Sequence, residues 1–400
     1  MDTMHMMDPN RKFSDGTPGA LLRVPVSRAM KPRTLLGLTA CALLCAACGG
    51  NGDSAPVEIP KPPPMVFTMT NATTGNAVQA YLRSPDGSLD KLASMPTGGT
   101  GVAHGLENQG ALVVSQDGRF LYVVNPGSDD LSVFEVTAAG VRLTDRVPSG
   151  GTLPVSVAEW NGIVYVLNRH ASSESGSGPT IQGFHVSSSG TLSPIPASSI
   201  TLRATDTTAA QIAISPDGLS VAVTERGIDQ VDLIPLDGEY VPGTPRAATS
   251  AGHGPFGFAF GDGARLYVSE AAHGTASSYD ADPPGSLRVL SAAVPTGQRA
   301  TCWLALSPDQ TLLYVSNTAS SSISSYRVAQ DGQLTLLVSV AATTSGNPLD
   351  LTIDASGNYL SVLTTEGSIE TFRIDGITGS LSSIQTISGL PSGTNGLAGS

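Results

Sequence analysis

One unit of four short strand-like runs recurs along this 400-residue chain, and it restricts the possible folds more than any other feature. Its clearest copy reads Leu304-Ala305-Leu306-Ser307-Pro308-Asp309-Gln310, then Leu313-Tyr314-Val315-Ser316-Asn317, then Ile323-Ser324-Ser325-Tyr326-Arg327-Val328, then Leu334-Thr335-Leu336-Leu337. Each run alternates at a period of two, as a half-buried strand must. The first turn of the unit recurs at Asp117, Asn161, Asp217, Asp262, Asp309 and Ser356, with spacings of 44, 56, 45, 47 and 47 residues. Asp-Gly or Asn-Gly at most of these turns is a hairpin signal, because glycine supplies the positive φ that the turn requires. The single long spacing contains Ser172 to Gly178, which reads as a Ser/Gly-rich surface loop.

Four strands at a period near 45 predict the blades of a β-propeller. Six turns mark six full blades. The chain ends are expected to supply a seventh: Phe67 to Asn71, Ala77 to Leu82 and Leu89 to Ala93 read as second, third and outer strands, and Thr394 to Ser400 as the missing inner strand. The expected fold is therefore all-β, seven four-stranded antiparallel blades over residues 65–400, with the C-terminal strand closing the ring on the N-terminal blade. Closure removes the free sheet edges that six blades with ragged ends would leave. Glycine (45) and proline (28) are abundant and only 14% of residues are charged, which fits many short strands and tight turns.

The amino-terminal region reads as a targeting segment. Met30, Lys31 and Arg33 precede the apolar run Thr34 to Ala47, which is too short to span a bilayer. The run ends at Ala46-Ala47-Cys48, similar to a bacterial lipoprotein signal, with Cys48 the expected lipidation site; cleavage by the ordinary signal peptidase is the alternative. Residues 1–29 carry Asp2, Asp8 and Asp15 and make a poor leader, so translation is expected to start at Met30. Residues 30–47 are then the signal peptide and 48–64 a Gly/Pro-rich tether. The protein is expected to be exported and membrane-anchored through the lipid alone, periplasmic or on the cell surface. Cys302 is left as the one cysteine of the folded part.

The formal charge is -12, but the first 47 residues hold six basic and three acidic residues, leaving 15 basic against 30 acidic residues beyond them. That balance repels phosphate backbones and excludes nucleic acid as an expected partner. A monomer acting on a small-molecule ligand or substrate is expected.

In a propeller, the loops leading into the inner strands and those leaving the second strands share one face. The second strands end at Asn71, Asn125, Asn168, Glu225, Glu270, Asn317 and Thr364, read here as a polar ring near the channel mouth. Short amides there bond turn backbone in the bland account. Glu225 and Glu270 break the pattern in adjacent blades. Two convergent carboxylates can act as general acid and base, or take Ca²⁺; salt bridging to Arg226 or Arg265 is the structural alternative. No other cofactor is expected. Gln211, Phe256, Cys302 and Trp303 precede or begin inner strands and, with Asn168, Arg169 and Asn317, are candidate ligand contacts. Cys302 has no histidine placed beside it in sequence, and His104, His170, His253 and His273 lie in loops without metal-ligand spacing.

The Ser-Pro-Asp-Gly, Leu-Tyr-Val-Ser-Asn, Ile-Ser-Ser-Tyr-Arg-Val and Asp-Gly-Gln-Leu-Thr units resemble those of the lactonase-type propellers, which include 6-phosphogluconolactonase and carboxymuconate-cyclising enzymes. Val223 to Arg226, Pro255 to Phe260, Val268 to Glu270 and Thr301 to Trp303 are similar to a branch of that group without a defined substrate. The resemblance implies a hydrolase or lactonising cyclase, but the family's acid and base residues are largely missing. Its Gly-Pro-Arg-His corresponds to Leu153-Pro154-Val155-Ser156, its Leu-Asn-Glu to Leu167-Asn168-Arg169, and its Ala-Glu-Ile-His to Ala210-Gln211-Ile212-Ala213. Of Ser-Asn-Arg-Gly, the arginine has its counterpart in Arg226. With Arg226 on a substrate carboxylate, Glu225 and Glu270 are the expected proton-handling substitutes. The alternative is a non-catalytic surface propeller that binds a small molecule, glycan or protein. Export argues against a role in cytosolic 6-phosphogluconate metabolism.

Overall fold

Side chains close the recurring Ser-x-Asp turns. Ser115 Oγ donates to Asp117 Oδ1 at 2.6 Å, Ser215 to Asp217 at 2.5 Å and Ser307 to Asp309 at 2.6 Å. The same aspartate oxygens accept the backbone N–H groups of Arg119, Leu219 and Thr311. These Asx-type bonds satisfy turn backbone that would otherwise need water, and they fix the register of the hairpin that follows.

The computed structural model describes residues 62–171 and 176–400, all within the unit Ile59–Ser400. The expected signal, the lipidation site Cys48 and most of the tether lie outside the described residues, as does 172–175 of the long insertion. Seven antiparallel sheets follow one another, six with their strands in sequence order from inside to outside and the first with the C-terminal strand innermost. Blade 4 is typical: Ala209–Ile214 is innermost, followed by Ser220–Glu225, Gln230–Pro235 and Arg246–Thr249. Blade 3 departs from the expected four strands, because its outer position is divided between Leu192–Pro194 and Ile200–Thr201, both paired to Thr180–Val186. Among the described residues there is no α-helix, only three 3₁₀ turns, and no helix long and apolar enough to cross a membrane.

Blades pack through the repeated tyrosine of the second strand. Tyr122, Tyr165, Tyr267 and Tyr314 are all 1% exposed or less. Burying a side chain of this size contributes roughly 1.5–3 kcal/mol, and recurrence at the same register spreads that gain around the ring.

The ring closes as the sequence predicts. Asn395–Gly399 pairs antiparallel with Met65–Met69, with Phe67 opposite Ala398 and Met69 opposite Asn395. Thr68 Oγ1 donates to the Gly396 carbonyl at 2.7 Å, and Ser400 N–H donates to the Met65 carbonyl at 3.0 Å. The first strand ends two residues earlier than expected, because Asn71 turns the chain with φ 52°.

Candidate functional site at the loop face

The segment Gly101–Gly110, which leads into the inner strand of blade 2, lies across the mouth of the central channel. Gln109 reaches blade 6, where its Nε2 donates to the Leu304 carbonyl at 2.7 Å and its Oε1 accepts the Leu304 N–H at 3.2 Å. Its own N–H donates to the Ala210 carbonyl in blade 4, and its carbonyl accepts from Ser156 Oγ in blade 3. A side-chain amide here imitates a strand edge, satisfying inner-strand backbone across the axis. Blade 5 makes room for it: a Cβ on Gly257 would stand 2.0 Å from Gln109 Oε1, so only glycine fits there.

The candidates from sequence gather around this segment, mostly as its supports. Trp303 Nε1 donates to the Asn108 carbonyl at 2.6 Å, and Asn108 Nδ2 donates to the Val155 carbonyl. Phe256 is buried edge-on against Trp303, with ring centroids 4.9 Å apart. Arg169 Nη2 donates to the Leu106 carbonyl at 2.6 Å, and burial lowers the guanidinium's pKa from its ordinary value. Gln211 repeats the strand-edge device one blade on, donating to the Phe258 carbonyl and accepting its N–H. Cys302 is buried, and that burial pushes its thiol up, with opposing stabilisation of the thiolate from Thr318 and Arg226. This is the environment of an inert thiol.

Arg226 also holds this segment, and in addition faces a cleft. It follows the second strand of blade 4, its guanidinium 5.5 Å over the Phe256 ring and its Nη2 2.5 Å from Glu107 Oε2. It also lines an open cleft of about 700 Å³ between blades 4 and 5, together with Thr208, Asp229, His253 and His273.

The structure does not bring Glu225 and Glu270 together. Every member of the expected polar ring is 2% exposed or less; most bond within their own blade, while Asn71 donates to the His104 carbonyl and accepts the Val102 N–H of the segment across the mouth. The reason is register. The last residue of a second strand lies diagonal to the third-strand residue seven positions on, giving Asn125 with Ser132, Glu270 with Ser277 and Asn317 with Ser324. Asn168 instead donates to the Ser149 carbonyl at 3.1 Å. Glu270 is saturated: Oε1 accepts from Ser250, Gly252 N–H and Ser277, and Oε2 from Thr275. Among the described residues no three His, Cys, Asp or Glu side chains gather as a metal site.

Glu225 belongs to a buried acidic pair. Its diagonal partner is Asp232, and both are fully buried. Thr207 Oγ1 donates to Glu225 Oε1 at 2.9 Å, while Arg203 Nη2 lies 2.7 Å from Asp232 Oδ1 and 3.1 Å from Glu225 Oε2. Glu225 Oε2 and Asp232 Oδ2 still lack a hydrogen-bond donor. A single proton between the two carboxyls would satisfy both oxygens. Burial, then the neighbouring Asp232 charge, push Glu225 up to about 7, against the opposing pull of Arg203.

This geometry can be compared with known proteins. The family described as "Lactonase, 7-bladed beta-propeller" matches residues 74–174 and 203–395. The chain belongs to this lactonase family. Among solved structures, the lactonase-family chain is similar to a candidate 6-phosphogluconolactonase of Bacteroides fragilis, at 20% identity and TM-score 0.68 over 84% of this chain and 98% of the other. A second candidate 6-phosphogluconolactonase, from Bacteroides uniformis, aligns at 20% identity and TM-score 0.69 over 85% and 100%. The periplasmic gluconolactonase PpgL of Pseudomonas aeruginosa aligns at 19% identity and TM-score 0.66 over 84% and 99%. No curated protein matches the sequence. At these identities the structural likeness carries the fold. Within the lactonase-family ring, sequence reasoning missed Glu107, Asn108 and Gln109, which carry no repeat signal, and the pairing of Asp229 with His253, which joins residues 24 positions apart.

Proposed function

We propose that this lactonase-family propeller hydrolyses a sugar-acid or aromatic-derived lactone at the loop face, outside the cytoplasm, anchored through Cys48. Family membership supports the reaction class. The observation that carries the reading is Arg226: the counterpart of the family arginine stands on the wall of an open cleft, oriented by Phe256 and Glu107. A guanidinium keeps its charge at any working pH and presents several donors, which suits the oxyanion that forms when an ester carbonyl is attacked. A similar structure named a periplasmic gluconolactonase is compatible with lactone chemistry in an exported propeller.

The purified protein is expected to open at least one member of a panel of aldonolactones and aromatic lactones. Arg226→Gln should lower kcat/KM at least 100-fold with an unchanged melting temperature. A folded wild type inactive across the panel would overturn the reading. A binding propeller without catalysis is the second reading, favoured by Ser156 and Gln211, which stand where the family has acid and base residues and are bonded to backbone instead. Saturable lactone binding without turnover would establish it. Anchoring is tested separately: Cys48→Ala expressed in a bacterium should move the protein from the membrane to the soluble exported fraction, and an unaltered membrane share would refute lipidation at that residue.

A further inference from the structure

We propose that His253, oriented by Asp229, is the general base of this lactone hydrolysis; the inference rests on the function proposed above. Asp229 ends the short 3₁₀ turn Arg226–Ile228 in the left-handed conformation, with φ 55°. That bend carries its carboxylate to the loop entering blade 5. There Oδ1 accepts the Gly254 N–H at 2.7 Å, and Oδ2 meets His253 Nδ1 at 2.7 Å. These bonds, the backbone N–H first and the imidazole second, hold the Asp229 carboxyl below the usual range.

A carboxylate acceptor places the imidazole proton on Nδ1 and leaves Nε2 with a free lone pair. The loop beneath is braced, since Ala271 N–H donates to the Gly254 carbonyl and Ala272 N–H to that of His253. The side chain is nevertheless 61% exposed, open to both water and substrate. His273 lies edge-on to it, ring centroids 4.7 Å apart. The titratable or charged groups of the cleft are thus Asp229, His253, His273 and Arg226. Arg226 and Asp229 sit three positions apart on one turn, so the cationic group and the orienting carboxylate are fixed relative to each other.

A comparison within the ring separates this role from turn chemistry. Asp129 holds the equivalent place in blade 2, with φ 58°, its carbonyl accepting from Ser149 as that of Asp229 accepts from Ser250. Its carboxylate caps one backbone N–H, that of Leu153. In blade 2 the turn is complete with the aspartate and a single amide bond, and in blade 6 with Ser321, whose carbonyl accepts from Thr344. The histidine is an addition. His104 and His170 direct Nδ1 at backbone carbonyls instead, and of the described histidines only His253 is seen to set a ring nitrogen against a carboxylate.

In the reaction, Nε2 of His253 removes a proton from water as the water oxygen attacks the lactone carbonyl carbon. The carbonyl π pair moves onto oxygen, facing Arg226. When the tetrahedral intermediate collapses, the ring C–O bond breaks and the leaving oxygen takes the proton back from the imidazolium. One water is consumed and the product is the open hydroxy acid.

The test uses the full chain, δ-gluconolactone and every panel lactone that the wild type opens, with spontaneous hydrolysis subtracted, from pH 5 to 9. His253→Gln should lower kcat at least 100-fold, change KM less than threefold, and abolish the wild-type fall in activity at acid pH; Asp229→Asn should lower kcat about tenfold. Nitrogen-15 NMR of the folded wild type should show the Nδ1–H tautomer at His253. An active wild type whose His253→Gln variant keeps both its rate and its acid limb would overturn this inference and leave the proposed function standing, as would the Nε2–H tautomer. A wild type inactive on the whole panel would overturn both.

Discussion

Arg203→Met should lower folding stability by about 3 kcal/mol at pH 8, the usual scale for removing one partner from a buried ion pair. Arg203 is the cation that reaches the Glu225 and Asp232 carboxyls, and its Nη1 and Nη2 also bond the Leu202 carbonyl and Gln230. Methionine keeps the stem but leaves two buried carboxyls without their cation. Glu225→Gln should act in the opposite direction, because an amide supplies permanently the donor that the shared proton provides. The sign follows from linkage. Glu225 is raised from 4.5 to about 7, so the unfolded chain ionises first. The Glu225 contribution to stability is fully present below pH 4.5, is lost as pH rises through about 7 and is flat above. Glu225→Gln should flatten that slope, gain on the order of 2 kcal/mol at pH 8, and keep turnover, since the side chain is shut away from the cleft. Urea titrations across pH 4 to 9 would check this. Equal stability of Arg203→Met and wild type at pH 8, or an unchanged pH slope in Glu225→Gln, would refute the shared-proton cluster.

The second large effect concerns closure. Deleting Asn395–Ser400 should abolish cooperative unfolding at the wild-type temperature and give soluble oligomers, because Met65–Met69 becomes a free edge next to an open channel. The loss extends past one ladder. Leu397 N–H donates to Asp350 Oδ2 in blade 7 at 3.0 Å, and Leu397 belongs to the buried cluster that includes Val66, Tyr81, Leu363 and Ile369. Asp350 is fully buried, and burial pushes its carboxyl up to about 8 against the pull of the Leu351 and Leu397 N–H groups, so removing one donor leaves it poorly satisfied. Leu397→Ala, which keeps the strand, should cost about 3 kcal/mol. Calorimetry and size-exclusion chromatography distinguish the two variants. A truncated chain that elutes as the wild type does, with an unshifted melting transition, would show that closure contributes little.

How far the site was legible follows from the same register. Glu225 and Glu270 stood out in sequence because they replace an asparagine, and the substitution is real. Its meaning is local. Each carboxylate substitutes for an amide in bonding the third strand, as Asn317 bonds Ser324 with Nδ2 at 2.8 Å. Period-two alternation says that a residue at the end of a strand faces one side of the sheet, but not that this side is covered by the loop entering the same blade.

The sequence alone determined the blade count, the strand order, the turns and the closing strand, because each depends on contacts within about 45 residues or on one repeated pattern. It also marked Arg226, through a motif that survives as single residues. Only the tertiary structure decided what the loops do. Gln109 bonds Leu304 across the channel, Glu107 pairs with Arg226 from 119 positions away, and Asp229 turns His253 toward the cleft. Those partners come from different blades, and their meeting depends on the ring closing at one diameter, a quantity written in no single repeat.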